Sequence, residues 1–109
     1  MEIIKERDGS NMTVKLIGRL DAVTAIQLDK DMATSLKDVN ALTLDLAKLD
    51  YVASAGLRIL LKTQKKMDRQ GSMVIKNVQD SVREVLDMTG FSQFLTLEEK
   101  AKKKLQISF

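Results

Sequence analysis

Between residues 42 and 69 the spacing of apolar side chains changes from every second residue to every third or fourth, and this change constrains the fold more than any other feature of the chain. Leu42, Leu44 and Leu46 alternate with Thr43, Asp45 and Ala47, the period of a strand with one buried face. Leucine is a weak strand former, so the pattern decides over the propensity. After a connecting segment from Lys48 to Ala53, Leu57, Leu60, Leu61 and Gln64 or Met67 fall at helical spacing, which predicts a helix from Ser54 to about Arg69, stopped by Gly71. A strand feeding directly into an amphipathic helix is the building unit of an α/β fold.

The flanking segments extend that pattern. Residues 2–8 and 11–18 read as two strands, the second alternating Met12, Val14 and Leu16 against Thr13, Lys15 and Ile17, with Asp8-Gly9 as the turn of a hairpin. From Asp21, a residue suited to capping, Ala25, Leu28, Met32 and Leu36 recur at helical spacing, so residues 22–38 are expected to form an amphipathic helix. Met73, Val74 and Ile75 form an apolar run too short for a helix and read as an interior strand. Ser81 and Glu84 have capping-box spacing ahead of Val82, Val85 and Leu86, predicting a third helix over 81–89 that Gly90 closes. Phe94 to Leu97 is expected to add a short strand and Glu98 to Leu105 a terminal helix. The order β-β-α-β-α-β-α-β-α calls for a mixed, mostly parallel sheet with an N-terminal hairpin and about four helices.

Length and composition bound the function. A chain of 109 residues with 44% hydrophobic side chains fits one domain, residues 1–109. No apolar run approaches the roughly 20 residues of a spanning helix, so no membrane insertion is expected. The start of the chain, with Glu2, Glu6 and Asp8, lacks the pattern of a secretory signal, and cysteine is absent. Both fit a cytoplasmic protein. The absence of histidine excludes more. A Ser-His-Asp hydrolase needs an imidazole and the common zinc sites draw on histidine or cysteine, so no enzyme of these kinds, and no cofactor, is expected. Basic residues concentrate in the second half, at Arg58, Lys62, Lys65, Lys66 and Arg69 and again at Lys100, Lys102, Lys103 and Lys104. With only four aromatic residues, none interleaved with these cations, direct nucleic-acid binding is not expected.

The most informative stretch joins the central strand to the second helix through Tyr51, Val52, Ala53, Ser54, Ala55, Gly56, Leu57 and Arg58. A serine at a helix start sits beside unpaired backbone N–H groups and the positive end of the helix dipole, where a phosphate is electrostatically favoured. Small neighbours leave room for another protein to approach. The plainer reading is that Ser54 only caps the helix, contributing about 1 kcal/mol. A hydrolase elbow, Gly-x-Ser-x-Gly, is ruled out because Val52 holds the first glycine position and no base is present.

The segment resembles the signature of STAS domains, in which a leucine-rich strand ending in Asp-Leu leads through an aromatic residue and a small-residue turn into Ser-(Ser/Ala/Thr)-Gly-Leu. Asp45-Leu46, Tyr51 and Ser54-Ala55-Gly56-Leu57 match it, Gly18-Arg19-Leu20-Asp21-Ala22 is similar to the family's Gly-x-Leu-Asp, and Gly71, Val82, Leu86 and Gly90-Phe91 extend the likeness. The resemblance implies an anti-sigma factor antagonist. Such a domain binds an anti-sigma factor that is also a serine kinase, is released when the kinase phosphorylates the serine aligned with Ser54, and is reset by a metal-dependent serine/threonine phosphatase. It also implies a partner-binding surface formed by Asp21, Tyr51, Ala53, Ser54, Ala55, Gly56, Leu57 and Arg58. The position before the serine is often Asp in switching members and is Ala53 here. The alternative within the family is a subunit of a lipid or anion transport system that docks without being phosphorylated.

Overall fold

The computed structural model describes residues 1–98. Four strands, β1 (Glu2–Asp8), β2 (Asn11–Leu20), β3 (Ala41–Val52) and β4 (Ser72–Lys76), form one sheet in the order β1-β2-β3-β4. The helices are α1 (Ala22–Ser35), α2 (Ser54–Gln70) and α3 (Asp80–Thr89), followed by a 3-10 turn at Phe91–Gln93. β1 and β2 are the expected antiparallel hairpin, with Asp8 opposite Asn11 and Gly9 in the left-handed region at φ 62°. β2, β3 and β4 run parallel. Each parallel crossover moves one strand further in the same direction, so with the usual right-handed connection the helices fall on one face of the sheet, where residues of all three share one core.

That placement explains the burial. Met12, Val14, Leu16, Leu42, Leu44, Leu46, Met73 and Ile75 point into the core, with Leu28, Met32, Leu57, Leu60, Met67, Val82 and Leu86 packed over them. The opposite face carries Lys15, Ile17, Thr43 and Asp45. Val74, expected to be buried, points to that helix-free face and is only half-buried, as is Leu61 at the margin of α2.

Several boundaries differ from expectation, each for a local reason. α1 stops at Ser35 and not at residue 38, because residues 36–38 turn and Asp38 adopts a φ of 63°. The carbonyls freed there are taken up by side chains, Lys37 and Asp38 by Arg7 and Leu36 and Val39 by Gln70. β3 continues through the segment read as a connection. Ile17 pairs with Lys48 two residues after Lys15 pairs with Asp45, and Arg19 pairs with Tyr51 just after Gly18 pairs with Leu49, so β3 holds two extra residues. These bulges shift its buried positions to Leu46, Leu49 and Val52, a spacing of three that hides the strand from a period-two reading.

At α3 the capping box of Ser81 and Glu84 does not form. The helix begins one residue earlier, with Gln79 at the cap position and no side-chain cap. Gln79 Nε2 instead donates to the Ala47 carbonyl at 2.8 Å, and the Ser81 hydroxyl lies 3.5 Å from the Asp50 carbonyl. The strand expected over 94–97 is reduced to one parallel bridge between Ile75 and Leu97. Gln64, buried at 2% exposure, holds this segment by accepting the Thr96 amide at 3.0 Å. The helix expected over Glu98 to Leu105 lies outside the described residues beyond Glu98. Among the described residues no helix is long and apolar enough to cross a membrane.

Candidate functional site

The parallel pairing of β2 and β3 ends with Leu20 beside Val52, and the Ala53 amide donates to the Leu20 carbonyl at 2.9 Å. The starts of α1 and α2 are therefore neighbours at the C-terminal ends of the two central strands, and their chemistry differs. Asp21 caps α1. Its Oδ1 accepts the Val23 amide at 3.0 Å and the Thr24 amide at 2.9 Å, while the Thr24 hydroxyl oxygen accepts the Asp21 amide at 2.8 Å. This capping box satisfies donors that the helix leaves unpaired. Bonds from the amide and hydroxyl of Thr24, then the Val23 amide and the nearby Arg19 charge, hold the Asp21 carboxyl below its ordinary value.

α2 has no such cap. Ala53 occupies the cap position with extended backbone and offers no side-chain acceptor, and the first turn holds no acidic residue. Ser54 is thus the first helical residue and not the cap, and it is exposed. The capping reading of Ser54 does not hold in this geometry.

The residues around Ser54 divide into those that present the surface and those that seat it. Gly56 and Leu57 are buried. A Cβ on Gly56 would lie 2.6 Å from Leu20 Cγ and 3.0 Å from the Leu20 carbonyl oxygen, so only glycine lets α2 approach the end of β2 this closely. These two positions hold the helix start in place and are not themselves contact surface. Tyr51, Ser54 and Arg58 are exposed, and Ala53 and Ala55 are half-buried. The Arg19 guanidinium stacks over the Tyr51 ring at 4.1 Å from its centroid, a cation–π contact that orients both groups at the rim.

Beside Ser54 a groove of about 260 Å³ runs between α1 and α2, lined by Ala22, Ile26, Asp29, Ala55, Arg58 and Ile59 among others. Ile26, which lines it, is 60% exposed, and Val23 one turn earlier on α1 is 76% exposed. Sequence reasoning missed these two residues. The available signal was that both lie off the buried stripe of Ala25, Leu28 and Met32 and so had to face outward. Ile26 with the small residues of the α2 start makes a groove surface suited to another protein, with an apolar anchor beside small side chains.

A family profile described as the STAS domain matches residues 2–104. The candidate anti-sigma factor antagonist BtrV of Bordetella bronchiseptica is 32% identical over 93 residues, covering 84% of this chain and 80% of that protein. The anti-sigma-B factor antagonist of Listeria monocytogenes is 27% identical over 97 residues, covering 87% and 85%. The fold is similar to that of the anti-sigma factor antagonist SpoIIAA, solved in its unphosphorylated form, with a TM-score of 0.76 at 17% identity over 91% of this chain and 90% of that one. SpoIIAA in the phosphorylated form superimposes with a TM-score of 0.69 at 16% identity, over 91% and 93%.

Proposed function

The chain belongs to the STAS domain family, and from that premise we propose that it is an anti-sigma factor antagonist whose partner is an anti-sigma factor with serine kinase activity, switched off by phosphorylation at Ser54. Its effect on transcription is indirect, its place of action is the cytoplasm, and a metal-dependent serine/threonine phosphatase resets it. The observation that carries the reading is the exposed Ser54 at the uncapped start of α2, next in the chain to Ala55, which lines the groove together with the exposed apolar side chain of Ile26.

The physics of the switch follows from that position. A phosphate adds about −1.5 to −2 charges. At a helix N-terminus this charge is tolerated by the fold, because it meets the positive end of the dipole and backbone donors that no side chain caps. That the same fold occurs in SpoIIAA with and without phosphate is consistent with this. At a docked interface the same charge is deprived of water, a penalty of several kcal/mol when no cation of the partner pairs with it. The modification therefore acts on binding and spares folding.

A pull-down from the source cell with mass spectrometry identifies the partner and the state of Ser54. Calorimetric titration of wild type, phosphoprotein, Ser54→Asp and Ser54→Ala against that partner then tests the switch. Ser54→Ala is expected to bind as wild type does, the phosphoprotein to bind weakly, and Ser54→Asp, with a single charge, to lie between. Equal affinity of the phosphorylated and unmodified proteins refutes the switch.

A further inference from the structure

α2 carries a second feature that the Ser54 site does not use. Arg58, Lys62, Lys65 and Arg69 are all exposed and fall at successive spacings of four, three and four residues. That spacing places them on one face over roughly 16 Å of helix. Together with Leu61 they line a shallow groove of about 350 Å³. Among the described residues only Lys62 of the four meets a carboxylate, Asp29 at 3.0 Å, and even so its side chain remains 68% exposed.

Like charges three and four residues apart destabilise a helix, and here three such neighbouring pairs occur in succession with little internal compensation. We propose that this basic face of α2 is a docking surface for an acidic segment of a protein partner. The partner's identity as the kinase rests on the function proposed above; the acidic chemistry rests on the face itself. Concavity argues for a convex peptide segment over a flat bilayer, and the apolar floor at Leu61 suits a segment whose carboxylates flank an aliphatic side chain. No aromatic ring lines the groove, so base stacking has no platform there. Arg58 lines both this groove and the one beside Ser54, which makes the two surfaces continuous: a partner seated at the α2 start has the basic face directly in its path.

The test uses the full chain, labelled with nitrogen-15, and a Glu-rich peptide of about 11 residues, the length that matches the face as a helix. Amide shifts confined to residues 58–69, with affinity falling steeply as salt is raised, are expected. Lys65→Glu combined with Arg69→Glu is expected to weaken peptide binding at least about tenfold, and the neutral pair Lys65→Gln and Arg69→Gln to fall between that and wild type. Circular dichroism confirms that both variants fold, and the milder pair keeps the test decisive if the reversal does not. Peptide shifts mapping elsewhere, an unchanged affinity in the variants, or tighter binding to anionic vesicles or duplex DNA than to the peptide would overturn the proposal. Against the kinase partner, a charge reversal without effect while Ser54 phosphorylation still weakens the complex overturns the basic face and leaves the switch intact. The converse result overturns the switch and leaves the face.

Discussion

Replacing Gly56 by alanine tests whether close packing of α2 on β2 seats Ser54. The added Cβ would stand 2.6 Å from Leu20 Cγ and 2.9 Å from Cδ2, and Leu20 is wholly buried, so its side chain has no solvent to move into. Overpacking of this kind costs about 1–3 kcal/mol. Alanine returns up to about 1 kcal/mol through helix propensity, less at the third helical position than in an interior. A net loss of about 1–2 kcal/mol is expected, a fall of very roughly 4–16 °C in Tm for a domain of this size. Leu20→Ala alone should cost about 2–5 kcal/mol. In that background the two clashing carbons are gone and only the 3.0 Å approach to the backbone carbonyl oxygen of residue 20 remains, so the cost of Gly56→Ala should fall by about half or more. The coupling between the substitutions is then about 1 kcal/mol, above the 0.3–0.5 kcal/mol scatter of independent sites. Urea unfolding of the four proteins, followed by circular dichroism, measures it. Additivity within about 0.5 kcal/mol would refute the packing argument.

Two further substitutions probe the ends of the same framework. Asp21→Ala should lower Tm at neutral pH, and the gap to wild type should close as the solution is acidified. The Asp21 carboxyl is held below its ordinary value in the fold, so its stabilisation is present above the unfolded pKa of about 3.9 and is lost as pH falls through the folded value. A gap unchanged between neutral pH and about pH 2 would show that the cap does not act as an ionised acceptor. Gln64→Ala removes the buried acceptor of the Thr96 amide and should cost about 1–3 kcal/mol. Hydrogen exchange should then rise more at Thr96 than at Leu44, and an equal rise at both would mean that Gln64 supports the whole core and not this segment.

How much was legible in advance depended on whether a residue's partner was near in sequence. The leucine alternation, the Ser54 helix and the hairpin rest on local periodicity and turn chemistry, and each is present where it was read. β3 beyond Ala47 was not legible, because its two extra residues are defined only against β2. The end of α1 was hidden for a similar reason, since Arg7 and Gln70 satisfy its carbonyls from some 30 residues away. At the candidate site, the motif located the α2 start but could not separate contact from support. Gly56 and Leu57 share the motif with Ser54, and only the approach to Leu20 shows that they face inward. The outward direction of Val23 and Ile26 was legible from the buried stripe of Ala25, Leu28 and Met32, but that Ile26 shares a groove with Ala55 and Ile59 depends on how α1 packs beside α2, which a lone helical pattern does not contain.

Ala53 changes meaning once the two helix starts are seen side by side. In the sequence it reads as a missing acid. In the fold, an aspartate there would occupy the cap of α2 as Asp21 occupies that of α1, accepting the first-turn amides and placing a fixed negative charge next to Ser54. A phosphate on Ser54 would then meet electrostatic repulsion and donors already engaged. With Ala53 the first turn of α2 holds no acid, and the neighbouring Asp21 at the α1 start has its charge already drawn to the Thr24 and Val23 amides and toward Arg19. The α2 amides have no competing side-chain acceptor. On the function proposed here, the substitution trades a group that could orient the hydroxyl for a helix start that receives the product at lower cost. The modified state should therefore be the better stabilised of the two in this chain: Ala53→Asp is expected to leave the unmodified protein at least as stable and to reduce the Tm gain on phosphorylation. A gain that is the same in both backgrounds would mean that the phosphate does not engage the α2 amides.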